Sequence, residues 1–277
     1  MATIIPSVFA DAVNEKIGVN LTIGQLATDV TDAVADITTC GNKVNFPTYD
    51  RVARVAEVTK GTAMTPAEVS MTGNEEEIKV AGGSIRVYDV DDKQIKGSTV
   101  DAMAQQLADA VNIDLDTAIA NKILAKATHI SPVADGSKIT NDELLAGYAL
   151  FGDQINADEF AGIVVNSRLI PSLLANDYFT SKERSMVKDD NGIVRRGLVG
   201  YWMGIPVFVA NNGTYAGNEC LTMFIKRNAV GYVMQKKATI EAEREAKLLA
   251  TDYVVSDMYA TSVLDDTGIV ICRKTVA

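Results

Sequence analysis

Histidine is almost missing from this sequence: His129 is the only one in 277 residues. A His-rich metal site is therefore excluded, and a His-based triad has a single candidate. His129 follows the helical stretch "ANKILAKAT" and precedes Ser131-Pro132, where a capping or exposed histidine is the simplest expectation. Cysteine is scarce too. Cys40, Cys220 and Cys272 are odd in number, far apart and without CxxC spacing, which reads as reduced thiols in a cytosolic product. No run of about 18 apolar residues occurs, so no membrane span is expected. The start, "MATIIPSVFADAVNEK", lacks the basic opening and small-residue cleavage site of a secretory signal. Basic charge is in deficit, with 26 Lys and Arg against 36 Asp and Glu, a net charge of −10. Gripping a phosphate backbone depends on Lys and Arg displacing counterions, so sequence-specific reading of nucleic acid is not expected.

The short chemical motifs are missing as well. "TKGTAMT" has its lysine before the glycine and is no phosphate loop, and neither GxGxxG nor GxSxG occurs. "KDDNG" (188–192) resembles a calcium loop only in composition; it lacks the alternating ligands and the distal glutamate, and a turn on Asn191-Gly192 accounts for it. The run Glu75-Glu76-Glu77 reads as a solvated loop or, alternatively, a docking patch for a basic partner. No catalytic, cofactor-binding or metal-ligating residue is assigned.

What is present is a sizeable apolar fraction, 47%, enough for a real core. Residues 1–43 hold a short amphipathic stretch, "SVFADAVNEKI", with Phe9 among its apolar positions, then threonine-rich chain. A helix this small must rest on something larger, so the segment is expected to act as an arm. "VNFPTYDRVARVAEV" (44–58) and "IKVAGGSIRVYDV" (78–90) are β-like. They are expected to pair as a long hairpin whose irregular tip spans the residues between them. Arg51, Arg54 and Gly82-Gly83 spoil their alternation. A two-stranded ribbon is marginal alone, so this one is expected to lie on another surface, its own subunit's or another molecule's.

"STVDAMAQQLADAVNIDLDTAIANKILAKA" (98–127) is the strongest local signal. Val100, Met103, Ala104, Leu107, Val111, Leu115, Ala118, Ile119 and Ile123 recur at spacings of three and four with no Gly or Pro between them. Thirty such residues make a rod of roughly 45 Å. Beyond it, helix and strand alternate: "TNDELLAGYALFGDQ" reads as a helix, "FAGIVVNS" as a buried strand and "RLIPSLLAND" as the start of another helix. "GYWMGIPVFVANNG" (200–213), with the only tryptophan, Trp202, is either the floor of a ligand pocket or a strand whose bend is shaped by Gly204 and Pro206. "ECLTMFIKRNAVGYVMQ" supplies two strands around Lys226-Arg227-Asn228. "TIEAEREAKLLA" suits helix and extended chain equally. "VVSDMYATSVL" and "GIVICRK" flank "DDTG" as an expected closing hairpin.

This order of parts resembles the major capsid proteins of tailed bacteriophages, the Hong Kong 97-like fold. "NKVNFPTYDR" looks like the start of the extended loop and "EVTKGTAMTP" like its approach to the tip. "STVDAMAQQLADAVNIDLDTAIANKIL" looks like the spine helix, "AGIVVNSRLIPSLL" and "GLVGYWMGIPVFVANNG" like axial-domain segments, and "DYVVSDMYATSVLDDTGIVICRK" like the last part of the peripheral domain. The resemblance implies an α+β fold divided into an N-terminal arm (1–43), an extended β-hairpin loop (44–95), the spine helix with the first part of the peripheral domain (96–138), an axial domain (139–225) and the rest of the peripheral domain (226–277). It implies a shell protein, not an enzyme, that assembles as hexamers and pentamers around double-stranded DNA in the virion, after synthesis in the host cytoplasm. The implied partners are many copies of itself, a portal protein, a separate scaffold protein, and packaged DNA held without sequence preference. The lack of a long helical extension before the arm implies a separate scaffold protein, or none. Expected assembly contacts are Phe9, Lys60, Thr62, Met64, Glu75, Glu76, Glu77 and Trp202. Lys60 stands where some relatives carry a cross-linking lysine, but no matching asparagine or glutamate is identified, so no cross-link is carried over. Two rivals remain: an encapsulin-type compartment of the same fold, and a soluble enzyme that works with carboxylates alone.

Overall fold

The computed structural model describes residues 21–33, 41–49, 61, 71–90, 99–131, 136–152, 156–180 and 197–276. Its axis is the helix α1, Thr99–Lys126, 28 residues long, or about 42 Å. The expected stripe is the buried one: Ala104, Leu107, Val111, Leu115, Ala118, Ile119 and Ile123 are all nearly inaccessible. Its two halves meet different partners, because α1 spans two sheets.

The first sheet has four strands in the order β1 (Thr28–Asp29), β11 (Val230–Glu245), β12 (Ala250–Val263), β4 (Lys79–Tyr88). Val87 of β4 and Tyr253 and Val255 of β12 close a small core with Ala104, Leu107, Ala108 and Val111 of α1. The second sheet runs β5 (His129–Ile130), β13 (Ile269–Thr275), β10 (Glu219–Lys226), β6 (Phe160–Val165), β8 (Ile205–Val209), β7 (Leu198–Trp202), with β9 (Tyr215–Ala216) beside β10. Its Val164, Leu221, Met223, Ile225, Ile269 and Ile271 pack on the C-terminal half of α1. The opposite face is covered by α2 (Asn141–Ala149), α3 (Ile170–Leu174) and α4 (Asp177–Thr180). Leu144, Leu169, Leu173 and Phe179 from this layer and the chain around it join the second core. At the start of α2 the Thr140 amide donates to Glu143 Oε2 at 2.9 Å, which satisfies a free donor of the first turn.

Two strand pairings differ from the sequence expectation. The ribbon pairs β2 (Lys43–Tyr49) with β3 (Met71–Glu77), register Lys43↔Glu77 to Tyr49↔Met71; residues 79–88 instead form β4 and pair with β12. The acidic run is thus a strand: every other side chain in it points away from water, so charge alone was a poor guide to loop. The closing hairpin is not a hairpin, because β12 belongs to the first sheet and β13 to the second. The same holds for β10 and β11. These two crossings touch, since the Ala229 carbonyl accepts from the Leu264 amide at 2.8 Å and the Asp265 amide at 3.2 Å. "TIEAE" finishes β11 as extended chain, and the strand returns as β12 in register Glu245↔Ala250. Cross-strand pairing, absent from a local propensity scale, decides that ambiguity.

Candidate assembly surface

Trp202 comes first among the expected contact residues, because its position is unequivocal. It is 0% exposed. Its indole Nε1–H donates to Asn141 Oδ1 at 3.1 Å, and its ring meets Tyr148 (5.7 Å) and Phe224 (6.1 Å) edge to face. It is a core residue of its own subunit. The turn after it, Met203-Gly204, has φ of 50° and 85°, the left-handed geometry that lets a two-residue turn follow strand twist. That is how "YWMGIP" folds back from β7 into β8. The "ANNG" end is used as a clamp. Asn211 Oδ1 accepts from the Ser167 amide at 3.1 Å, and Gly213, φ 67°, passes so close to α1 that a Cβ there would lie 2.4 Å from Ala120 Cβ.

The described part of the arm, residues 21–33, is held by its own subunit. Asp116 of α1, 1% exposed, accepts from the Thr22 amide (Oδ2, 3.1 Å) and the Gly24 amide (Oδ1, 2.8 Å). Burial pushes its carboxyl pKa up, while these amides and Asn212 pull it back down. Ile23 sits in the core between those two amides, and β1 then adds itself in parallel to β11. This was missed from sequence. Its only signal was the pair Asn112 and Asp116, four apart and both buried beside the apolar stripe, polar groups that need a partner from elsewhere.

The ribbon base also rests on its own subunit. Val44 and Phe46 of β2 are buried against Val233 and Ala260, and Asn74 Nδ2 donates to the Val263 carbonyl at 3.2 Å. Of the three glutamates, Glu76 is buried and paired with Lys122 of α1; it is a seam inside the subunit and not a free contact. Glu75 pairs with Lys43 across the ribbon at 3.2 Å in the open, and Glu77 is exposed. Phe9, Lys60, Thr62 and Met64 lie outside the described residues.

Exposed apolar side chains occur on both halves of the subunit, with Leu145, Leu150 and Tyr178 on the second-sheet side and Val80, Leu248 and Leu249 on the first. At the far end of the β11–β12 pair, Leu248 and Leu249 are open, Leu249 at 56%. Beside them Arg86 grips Asp252 with two bonds of 2.7 Å and reaches Glu245 at 2.9 Å. Arg244 does the same to Asp89 at 2.7 and 2.6 Å. The paired charges raise both arginine pKa values and lower that of Asp252, mainly through these hydrogen bonds. Further along, a cleft of about 470 Å³ opens between α1 and the β4–β12 pair, with Asp257 in its wall. Burial, and secondarily Asp114, push the Asp257 carboxyl up to about 6. Among the described residues no group of three His, Cys, Asp or Glu is placed to hold a metal ion, and no helix is long and apolar enough to cross a membrane.

Solved structures similar to this chain include those of phages and of a GTA particle. Mycobacterium phage Che8 aligns with TM-score 0.67 at 22% identity, covering 91% of this chain and 90% of that one. The head of Helicobacter pylori bacteriophage KHP40 aligns with TM-score 0.64 at 9% identity, covering 94% and 91%. The capsid of an empty GTA particle aligns with TM-score 0.63 at 12% identity, covering 93% and 90%. At such identities these likenesses establish the mixed α+β fold. Comparison with curated proteins gives no significant match. The family profile described as "Phage capsid protein" matches residues 75–272, well over half of the chain, from the ribbon's second strand to β13. The chain belongs to the phage capsid protein family.

Proposed function

We propose that this capsid protein has the Hong Kong 97-like architecture and closes, as hexamers and pentamers, an icosahedral shell around double-stranded DNA. In this reading the chain before β2 is the arm and the β2–β3 ribbon begins the extended loop. The helix α1 is the spine, the second sheet with α2 to α4 is centred on the axial domain, and the first sheet is peripheral. The carrying observation is that one 28-residue helix ties a self-sufficient sheet to a second sheet with an open end. The family match and the head-shell likenesses across nine-tenths of the chain support it. Glu75, Glu77, Lys60, Thr62, Met64 and Phe9 stay as proposed contacts between copies. Many weak contacts made together add up to a strong shell, because each raises the effective concentration for the next. The acidic balance, −10 per copy, suits a container that must not bind the DNA pushed into it. A scaffold and a portal protein are the proposed accessory partners, and synthesis takes place in the host cytoplasm.

The test is expression with and without the neighbouring head genes, followed by gradient sedimentation and negative-stain microscopy. Closed shells are expected. A product that stays monomeric or dimeric in every salt and with every head protein supplied overturns the proposal. Shells that enclose protein cargo and never nucleic acid point to a compartment instead.

A further inference from the structure

We propose that the cleft between α1 and the β4–β12 pair is a socket for a basic side chain, lysine or arginine, from a second copy of this chain. This rests on the shell reading above and adds to it a specific charged contact.

The cleft follows from two rows of side chains. Along β12, Tyr253, Val255, Asp257 and Tyr259 alternate toward α1, and all four are buried. The other three fill apolar cores, while the third position is a carboxylate only 2% exposed. The facing row on β4 runs Val87, Ile85, Gly83, Ala81. Its bulk disappears opposite Asp257, whose register partner is Ala81. Space is therefore left over Ala81, Gly83 and Ala110, with Asp114 and Asn121 of α1 also in the lining.

The charge in this space is unbalanced. Asp257 forms no ion pair among the described residues, and its own backbone amide is the only donor that lowers its pKa. Asp114 adds a second negative charge and accepts from the Tyr259 hydroxyl at 2.5 Å. Lys79 of β4 is the one basic residue in the lining, and it too forms no ion pair among the described residues. Among the described residues, the titratable groups sharing this lining with Asp257 are Asp114 from α1, Lys79 from β4 and Tyr259 from its own strand. A buried carboxylate without a counter-charge is costly; a valine would complete the row at no such cost. Two carboxylates are too few for a metal cage, but they match the several N–H donors of one guanidinium or ammonium. The socket is also reachable. β4 is the last strand of its sheet, and Val80 in the lining is 68% exposed. A neighbouring copy can approach along that free edge, and each copy brings 26 lysines and arginines.

The experiment compares assembled wild type with Asp257→Asn, Ala81→Leu (which fills the space and keeps the charge) and Asp114→Asn at the exposed rim. A side-chain-resolution electron microscopy map of the wild-type shell should show a Lys or Arg nitrogen of another copy within hydrogen-bond reach of Asp257. Asp257→Asn and Ala81→Leu should each raise the subunit concentration needed for assembly at least tenfold, with Asp114→Asn giving a smaller rise. Thermal unfolding of the free Asp257→Asn subunit should be unchanged or raised. In wild type the required concentration should fall as pH rises through about 6, because only the ionised carboxylate attracts the incoming cation; Asp257→Asn should lose that dependence. Shells whose cleft is empty, or holds a metal ion or a residue of the same copy, overturn the socket alone. So do variants that all assemble at the wild-type concentration. A wild-type chain that never forms shells overturns the shell reading and the socket with it.

Discussion

The two sheets share one helix and are built differently. In the second sheet, β10 is buried from Cys220 to Lys226 without a break, with α1 on one face and the aromatic layer of Trp202, Phe160 and Phe224 on the other. In the first, β11 starts buried at Val230-Gly231 and ends exposed at Glu243, Arg244 and Glu245. Its outer end is held by exposed ion pairs, which contribute little each, and it carries open leucines and a cleft walled by an uncompensated carboxylate. One half of the subunit has a deep two-sided core. The other leaves Leu249 open and Asp257 buried without an ion pair among the described residues.

Trp202→Ala should test that contrast most severely, by emptying the aromatic layer and leaving Asn141 without its donor. A loss of about 3–5 kcal/mol is expected, read by denaturant unfolding of the free subunit. Leu107→Pro, in the part of α1 over the first sheet, should cost about 3 kcal/mol or more. If circular dichroism and stability stay at wild-type values, the helix does not carry the first sheet. Asp257→Asn should work in the other direction. Its folded pKa is raised to about 6 from an unfolded value near 4, so the folded state binds the proton more tightly. Stability is then greatest below about pH 4 and declines as pH rises through about 6. The asparagine should flatten that decline and gain roughly 2 kcal/mol at pH 7; an unchanged pH profile would show that Asp257 is not under strain. Asp116→Ala should cost about 1–3 kcal/mol and speed hydrogen exchange at the Thr22 and Gly24 amides, with the rest of the second sheet unaffected. Leu248→Ser should change subunit stability by no more than about 0.5 kcal/mol, since the residue is 46% exposed and joins none of the buried cores among the described residues. A larger loss would erase the difference between the two halves.

Much of the second sheet was legible. "FAGIVV", "IPVFV" and "CLTMFI" are short apolar runs bounded by polar turns, and each is a buried strand. The α1 stripe was legible because its period is local. The first sheet was read less well. Glu75-Glu76-Glu77 looks like a solvated run until β2 supplies a partner and Lys122 a counter-charge. "DDTG" looks like a hairpin turn until β13 is found in the other sheet. Asp257 looked like an ordinary polar residue between two β-branched stretches. Its importance depends on Gly83 and Ala81, some 175 positions earlier in the chain, leaving space on a neighbouring strand.

By itself the sequence determined where the rod lies, which short apolar runs are strands of the second sheet, and that no histidine-rich metal site is on offer. These follow from local periodicity and composition, which need no knowledge of what lies across the fold. Tertiary structure alone decided which strand pairs with which, that Trp202 and Glu76 face inward, that Asp116 ties down the chain at Thr22 and Gly24, and that Asp257 is buried with no ion pair among the described residues. Pairing and burial depend on residues far apart in the chain arriving at the same place, and no local pattern records that meeting.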